Sequence, residues 1–547
     1  MRITNKIMQD NSLYNINSNK VSQNNLSTQM STQKKINRPS DDPVVAIRSL
    51  RLRSSVSQIS QYYEKNVPDA ESWIKVTEDA LSTVTEVVTD LVKQATKGAN
   101  SDLKSDDLDI IIQNMEALEE EVYSTGNVDY AGRFVFTGYR TDTPLTFMKN
   151  EEISYSITEQ LYADSIDTVS YVETDDLSKV NETNYDTFTG LEESSISRAN
   201  FHRIRLAYSG CDSTVVPSIT FMEGGVQKTL TADVVNSYEE PNPYQSLESS
   251  TNGIVFSADT GELLISDAVY ERLNALTDNT ATDLNETEFQ ITYTKSDWKT
   301  GDLNPQHYFA CEAEGIQYNQ EYLTGTVEKQ VISYDVGYNQ TIEVNTTADK
   351  VFTHDAKREV EDLRNGLTKI QNMEKIICNY ENIIAKTTDE DDKATLQKQL
   401  DAANKALEYM KDDLQLELEH AITNFQAYLD QANLAVTDNG TAGSRLALVK
   451  TRLMSQQTTF ETLQSENEDA DMTEVAIKLQ SASVTYDAAL IIFLLKTFVF
   501  QEEPFHDQEM ESQDPVPFRR YGAPGLSVSS GLLYAGARKA LPCDVHV

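Results

Sequence analysis

The chain has 547 residues and a formal net charge of −41, from 87 acidic against 46 basic side chains. A nucleic-acid partner needs a basic surface to meet its phosphates, so this balance excludes one. The length allows roughly three or four domains, and a hydrophobic fraction of 39% fits a soluble, folded, rather polar protein.

Residues 1–36 are rich in Asn, Ser and Gln. Ile3, Ile7, Tyr14 and Val21 recur at spacings of four and seven, which draws one narrow apolar stripe on a helix. So thin a face buries little alone, and the helix is expected to order against partners. The start has no apolar h-region and no cleavage site, so it does not read as a secretory signal. The first 53 residues are basic, with Arg2, Lys6, Lys20, Lys34, Lys35, Arg38, Arg48, Arg51 and Arg53 against Asp10, Asp41 and Asp42. The acid lies further on, which leaves room for contact between the start of one subunit and the body of its neighbour.

A break follows at Asn37 to Pro43. Pro39 pushes Arg38 out of the helical region. Asp41 or Asp42 can cap the next helix, with Pro43 near its first position. Leu52, Val56, Ile59 and Tyr63 then alternate four and three, as do Leu81, Val84, Val88, Leu91 and Ala95. After a break at 98–107 the rhythm returns at Leu108, Ile111, Met115, Leu118 and Val122, so coiled-coil-like packing is expected.

From about 133 to 352 the period changes to two. Ile153, Tyr155 and Ile157 alternate with polar residues, and so do Ile332, Tyr334 and Val336, which predicts half-exposed antiparallel strands. The segments ISYSI and ISYDV read as two similar edge hairpins. Between them, 160–330 is rich in Thr, Ser, Asn and Asp.

Helix resumes near 355 with Val360, Leu363, Leu367 and Ile370 on one face. Thr387 to Asp392 forms an acidic turn that caps the next helix. Leu396, Leu400, Ala403, Leu407, Met410 and Leu414 continue in register. The next place falls on Glu417, and Leu418 takes it one residue late. The two segments predict an antiparallel hairpin. Asn439 to Gly443 reads as a turn region, after which Leu446, Val449, Leu453, Phe460 and Leu463 resume.

The sequence offers little chemistry. It has no HExxH, GxSxG, GxGxxG or P-loop. Cys211, Cys311, Cys378 and Cys543 show neither CxxC nor metal spacing and imply no disulfide framework. His420 follows Glu417 by three on a helix, the usual geometry of a solvated surface pair. The acidic runs lack the glycine and glutamate placement of a calcium loop. No cofactor, metal or catalytic residue is expected, and the protein reads as a non-enzyme. The longest apolar stretch, Ala488 to Phe500, is too short to span a membrane, so no membrane partner is expected.

Several motifs, taken together and in order, resemble the flagellin superfamily and especially its hook-associated members. They are the opening MRITNKIMQDNSLYNINSNK, then INRPSDDPVVAIRSLRLR, then Gly132 to Gly138 (GRFVFTG) and Thr300 to Phe309 (TGDLNPQHYF). Near the end come Glu468 to Glu474 (EDADMTE) and Tyr486 to Leu490 (YDAAL). The resemblance covers most of 1–150 and 300–490. It implies an α+β, flagellin-like fold, a long coiled-coil-like bundle of both termini with an inserted β-rich domain. The divisions would be an inner-core helix and linker (1–42), the first half of a helical rod (43–150) and a β-rich outer insert (151–352). The second half of the rod (353–465), the start of a second inner-core helix (466–490) and an atypical tail (491–547) would complete the chain.

The resemblance further implies a structural subunit at the junction of hook and filament, outside the cell, exported by the flagellar type III route. Its partners would be a hook-associated protein on the hook side, flagellin on the filament side, copies of itself in a ring and an export chaperone. The subunit interface would fall on Ile3, Ile7, Tyr14, Val21, Val475, Leu479, Tyr486 and Leu490, with Arg38, Pro39, Asp41, Asp42 and Pro43 as linker and cap. A filament flagellin and an unrelated coiled-coil surface or adhesin protein are the alternatives. After Leu490 the resemblance stops and prolines gather, which reads as a shifted reading frame or an appended segment.

Overall fold

The computed structural model describes residues 5–100, 103–174, 176–188, 190–237, 241–276, 288–324 and 330–499. The helices are α1 (Asn5–Thr32), α2 (Pro43–Gln61), α3 (Val67–Gly98), α4 (Ser105–Thr125), the short α5 (Pro243–Leu247) and α6 (Asp267–Asn274), then α7 (Asp355–Lys386), α8 (Glu390–Glu468) and α9 (Met472–Val499). The chain forms two compact units. One holds the residues through Asn37 and those from Ala470 onward, and the other runs from Arg38 to Asp469.

In the larger unit, α2 and α3 join through a π-helical turn at Tyr62–Asn66. Both pack along α8, while α4 lies against α3 and α7. The 3-4 stripe decides this. Leu81, Val84, Val88, Leu91 and Ala95 of α3 are fully buried, as are Ala421 and Ala432 of α8. Removing a leucine from water contributes about 2 kcal/mol, so a stripe of this length outweighs the polar outer faces. The break expected at 98–107 separates α3 from α4. At the acidic turn, Asp389 accepts hydrogen bonds from the backbone N–H groups of Asp391 (2.9 Å) and Asp392 (3.3 Å), which caps α8 as expected.

The turn expected at Asn439 to Gly443 does not exist. α8 runs unbroken through it for 79 residues, roughly 120 Å at helical rise. The small, polar residues there serve a close helix crossing. The buried Asn439 side chain donates to the Ile74 carbonyl at 3.0 Å. A Cβ on Gly443 would stand 3.4 Å from the Ile74 side chain, so α3 comes near there.

The slip at Glu417 also has a structural cause. Glu417 turns toward a cavity of about 360 Å³ between α7, α8 and a β-sheet, which it shares with Arg203, Lys369 and Asp413. A Cβ on Gly366 would lie 2.8 Å from the Glu417 carboxylate, so the glycine gives this side chain its room. Burial pushes the Glu417 carboxyl up to about 8.

The strands are β1 (Asp129–Tyr130), β2 (Arg133–Phe134), β3 (Glu151–Tyr162), β4 (Ile166–Glu173), β5 (Ser197–Arg205), β6 (Ser218–Glu223), β7 (Val226–Thr231), β8 (Asp233–Val235), β9 (Ile254–Ser257), β10 (Glu262–Ile265), β11 (Glu288–Trp298), β12 (Ala310–Ala313), β13 (Ile316–Tyr318), β14 (Ser333–Gly337) and β15 (Gln340–Glu343). A six-stranded antiparallel sheet has the order β13-β12-β3-β11-β6-β7, and a five-stranded sheet the order β4-β5-β10-β9-β8. The second is antiparallel except where β8 runs parallel to β9. ISYSI lies in β3, an inner strand paired on both sides, and so is not an edge hairpin. ISYDV lies at β14, in a two-stranded hairpin with β15. The same short alternation thus serves two environments, because the pattern fixes a face and not a neighbour.

The motifs near 135 and 305 meet where the six-stranded sheet joins the helices. Phe136 packs edge-on to Phe352 at 4.8 Å. Phe147 stacks on the buried Trp298 at 4.8 Å, and Tyr155 and Tyr208 meet the same indole edge-on. Tyr308 donates to the Phe352 carbonyl at 2.7 Å, and Lys357 pairs with Asp302 at 2.6 Å.

A polar seam fixes the five-stranded sheet to α7. Arg203 holds Asp167 and Glu262 at 2.6 Å and Asp362 at 3.1 Å, and Arg205 holds Glu359 at 2.6 Å and Asp362 at 2.9 Å. Burial opposes charge on Asp362, yet these two guanidinium groups keep its carboxyl below the usual range. Two other carboxyls in this region lack such cover. Burial raises Glu119 and Glu159 to about 7, although Tyr293 and the Ala207 N–H both donate to Glu159.

Candidate assembly surface

The smaller unit is a pair of helices, α1 against α9. Along α9, Val475 is buried and Leu479, Ala482, Tyr486, Ala489 and Phe493 are half-buried, a run of fours and threes. Along α1, Ile16 is buried and Ser12, Asn19, Gln23 and Leu26 are half-buried at the same spacing. A 3-4 seam of this kind joins two helices along one face each. On α1 that seam is largely polar, so its apolar pattern gave no sign of it.

The apolar stripe read from the sequence lies elsewhere. Ile7, Tyr14 and Val21 are 50%, 74% and 60% exposed. At about 100° per residue they stand on the side of α1 opposite its seam. Ile3 lies outside the described residues. Of the positions named on α9, Val475, Leu479 and Tyr486 belong to the seam within the chain, and Leu490 is exposed. Sequence reasoning missed Ile477, Val484 and Ile491, which are 64%, 64% and 57% exposed. They recur every seven residues on the face away from α1. Their heptad spacing was the available signal.

The linker motif caps the larger unit. Asp42, in extended conformation, accepts from the N–H groups of Val44 (3.0 Å) and Val45 (3.1 Å), with Pro43 in the first turn. Asp41 accepts from the Arg38 N–H at 2.9 Å and so closes the turn that contains Pro39. Of the two candidate caps, Asp42 is the cap and Asp41 the turn-former. At the other end, Asp471 caps α9 through the N–H groups of Thr473 (2.9 Å) and Glu474 (3.1 Å). Glu468, the last residue of α8, takes two hydrogen bonds from Arg53 of α2.

Among the described residues, no group of three or more His, Cys, Asp and Glu side chains could hold a metal ion. Burial lowers His307 to about 4 and His354 to about 3, so both are neutral at ordinary pH. Over Met472–Leu495, α9 is long and apolar enough by length and composition to cross a membrane. The apolar stretch from Ala488 is too short alone, but the helix that contains it is not.

A two-helix unit with a 3-4 seam and outward heptad stripes has the geometry of a coiled coil. Known proteins narrow this further. The chain is flagellin-like: residues 3–141 match the family model of the bacterial flagellin N-terminal helical region. It is 28% identical over 143 residues to flagellar hook-associated protein 3 of Salmonella typhimurium, and 28% identical over 144 residues to that of Escherichia coli K12. Each match takes in 26% of this chain and 45% of the relative, so the chain spans under half the length of the curated relatives it matches. Solved structures similar to it include FlgL of Xanthomonas campestris (14% identity, TM-score 0.27, covering 76% of this chain and 99% of that one) and the flagellar junction protein FlgL of Legionella pneumophila (9%, TM-score 0.19, 70% and 99%). At these TM-scores the superpositions carry no weight, and the likeness rests on the sequence match.

Proposed function

We propose that the chain is a non-enzymatic structural subunit that joins the hook of the bacterial flagellum to its filament and assembles by packing its terminal helices. The observation that carries this reading is the pair of outward stripes, Ile7, Tyr14 and Val21 on α1 and Ile477 and Val484 on α9. Their own seam is filled, so these residues are left for helices of other subunits to cover. The similarity to hook-associated protein 3 supplies the place. The partners are then a hook-associated protein below, flagellin above, copies of the same chain in a ring and an export chaperone, all save the last outside the cell.

In this reading residues 1–42 and 466–490 form the inner layer, 43–150 and 353–465 the rod, and 151–352 the outward part. We also propose that the sequence after Leu490 comes from a shifted frame. One reading frame shared by independent isolates would remove that proposal.

A filament flagellin is favoured by one finding, that the matching family model is that of flagellin itself. Copy number separates the two. Quantitative mass spectrometry of isolated flagella would find this chain scarce beside flagellin if it is a junction subunit, and dominant if it builds the filament. A third reading takes α9 as a membrane anchor. Recovery of the chain in alkali-washed membranes, with none on flagella, would establish it and sink the junction.

A further inference from the structure

α2 presents an exposed face that nothing in its own unit covers. Val44, Ile47 and Leu50 are 66%, 54% and 65% exposed. Arg48 and Arg51 stand exposed on the same side, and neither has an ion-pair partner among the described residues. The helix carries three arginines and no acid, in a chain of net charge −41. Arg53 alone is engaged, by Glu468. The surface is therefore apolar at its centre and basic at its rim, the layout of a docking patch.

The complement lies on the outer face of α8. Leu434 is 62% exposed, with Asp430 and Asp438 one turn to either side. Both aspartates are exposed, and neither forms an ion pair among the described residues. Of the other exposed leucines of α8, Leu416 also has exposed acid beside it, at Asp412 and Glu419, but is itself only 44% exposed, and Leu448 is flanked by Arg445 and Arg452. Acid and leucine thus coincide at 430–438 and basic charge at 445–452. A basic helix docks on the first and is repelled by the second. Within one chain α2 already packs on another face of α8, so the two patches can meet only between chains.

We propose that the Val44–Arg51 face of α2 docks on the Asp430–Asp438 stretch of α8 in a second copy of this chain. The contact links larger units directly, apart from the terminal helices. Heterologous pairing of two different patches closes a ring or continues as a helix, as the symmetry of the assembly requires.

The test places the photo-crosslinker p-benzoylphenylalanine at Leu50 in the purified full chain, irradiated concentrated and at low salt. The expected product is a dimer whose adducts map by mass spectrometry to residues near 430–438 of the second copy. Its yield should fall at least about fivefold in high salt, since exposed charges beyond a Debye length are screened. The double substitution Arg48→Glu and Arg51→Glu should lower it similarly, and adding Asp430→Arg with Asp438→Arg should restore it. A monomer alone, adducts within the same chain, adducts elsewhere on the second copy, or no rescue by the swapped charges would each overturn the proposal. No hook is needed, so failure of the junction reading would not decide this outcome.

Discussion

Glu468 of α8 is held by Arg53 of α2, with Nε and Nη2 of Arg53 each donating to one carboxylate oxygen at 2.6 Å. The carboxylate is 3% exposed and the guanidinium 55%. Ser49 also donates to it. A buried carboxylate held by a planar fork fixes direction as well as distance, because both donors must align at once.

Replacing Glu468 with Ala should therefore loosen this contact before the rest. The expected cost is about 2 kcal/mol, the range for a buried charge-assisted hydrogen bond. Hydrogen exchange would show faster opening of residues 45–53 with unchanged protection around Leu81 and Phe425. Uniform loss along the rod would contradict a local role.

The continuous helix through 439–443 makes a test of its own. Gly440 has open space where a Cβ would stand. In a helix interior Gly440→Ala should raise stability by up to about 1 kcal/mol. Asn439→Ala should lower it by about 1 kcal/mol, because it removes the buried side-chain hydrogen bond to the Ile74 carbonyl. Urea unfolding measures both, and a turn at this place would make Gly440→Ala neutral or destabilising.

The raised carboxyls give a pH dependence. Glu119 and Glu159 at about 7 and Glu417 at about 8 bind protons more tightly folded than unfolded. Their stabilising effect is full below the unfolded value and is lost as pH rises through 7–8. His307 and His354, held low, act in the opposite sense, but only below their unfolded value of about 6.5. Between pH 6.5 and 8 the raised carboxyls still lose their advantage while these histidines no longer oppose them, so stability should fall. Glu159→Gln should reduce that fall, and a denaturation midpoint flat or rising over this window would refute the account.

The outward stripes separate folding from assembly. Ile7→Asp with Tyr14→Asp should leave chain stability within about 0.5 kcal/mol, as for exposed sites, yet abolish filaments in cells. Val475→Asp, in the seam, should instead unfold the α1–α9 pair, which circular dichroism of the purified chain would register. Normal motility with the first pair would remove the stripes from the interface.

The rod was the most readable part, because Leu81 to Ala95 and Leu396 to Leu414 repeat a period that only a helix face satisfies. Asn439 to Gly443 misled, since residues that favour turns also let two helices approach. Glu417 was visible as an irregularity, but its cavity depends on Gly366, 51 positions away in the chain. The seam of α1 was hidden because Ser12, Asn19 and Gln23 carry no hydrophobic signal. ISYSI and ISYDV show the limit for strands, where alternation names a face and leaves the partner open.

The most direct measurement is electron microscopy of a strain lacking the gene, with and without this chain restored. The account predicts bare hooks and shed flagellin in the deletion. It predicts filaments on hooks again when the chain is returned with the frame after Leu490 corrected, and bare hooks still when it is returned uncorrected. Normal filaments in the deletion strain itself would contradict the account.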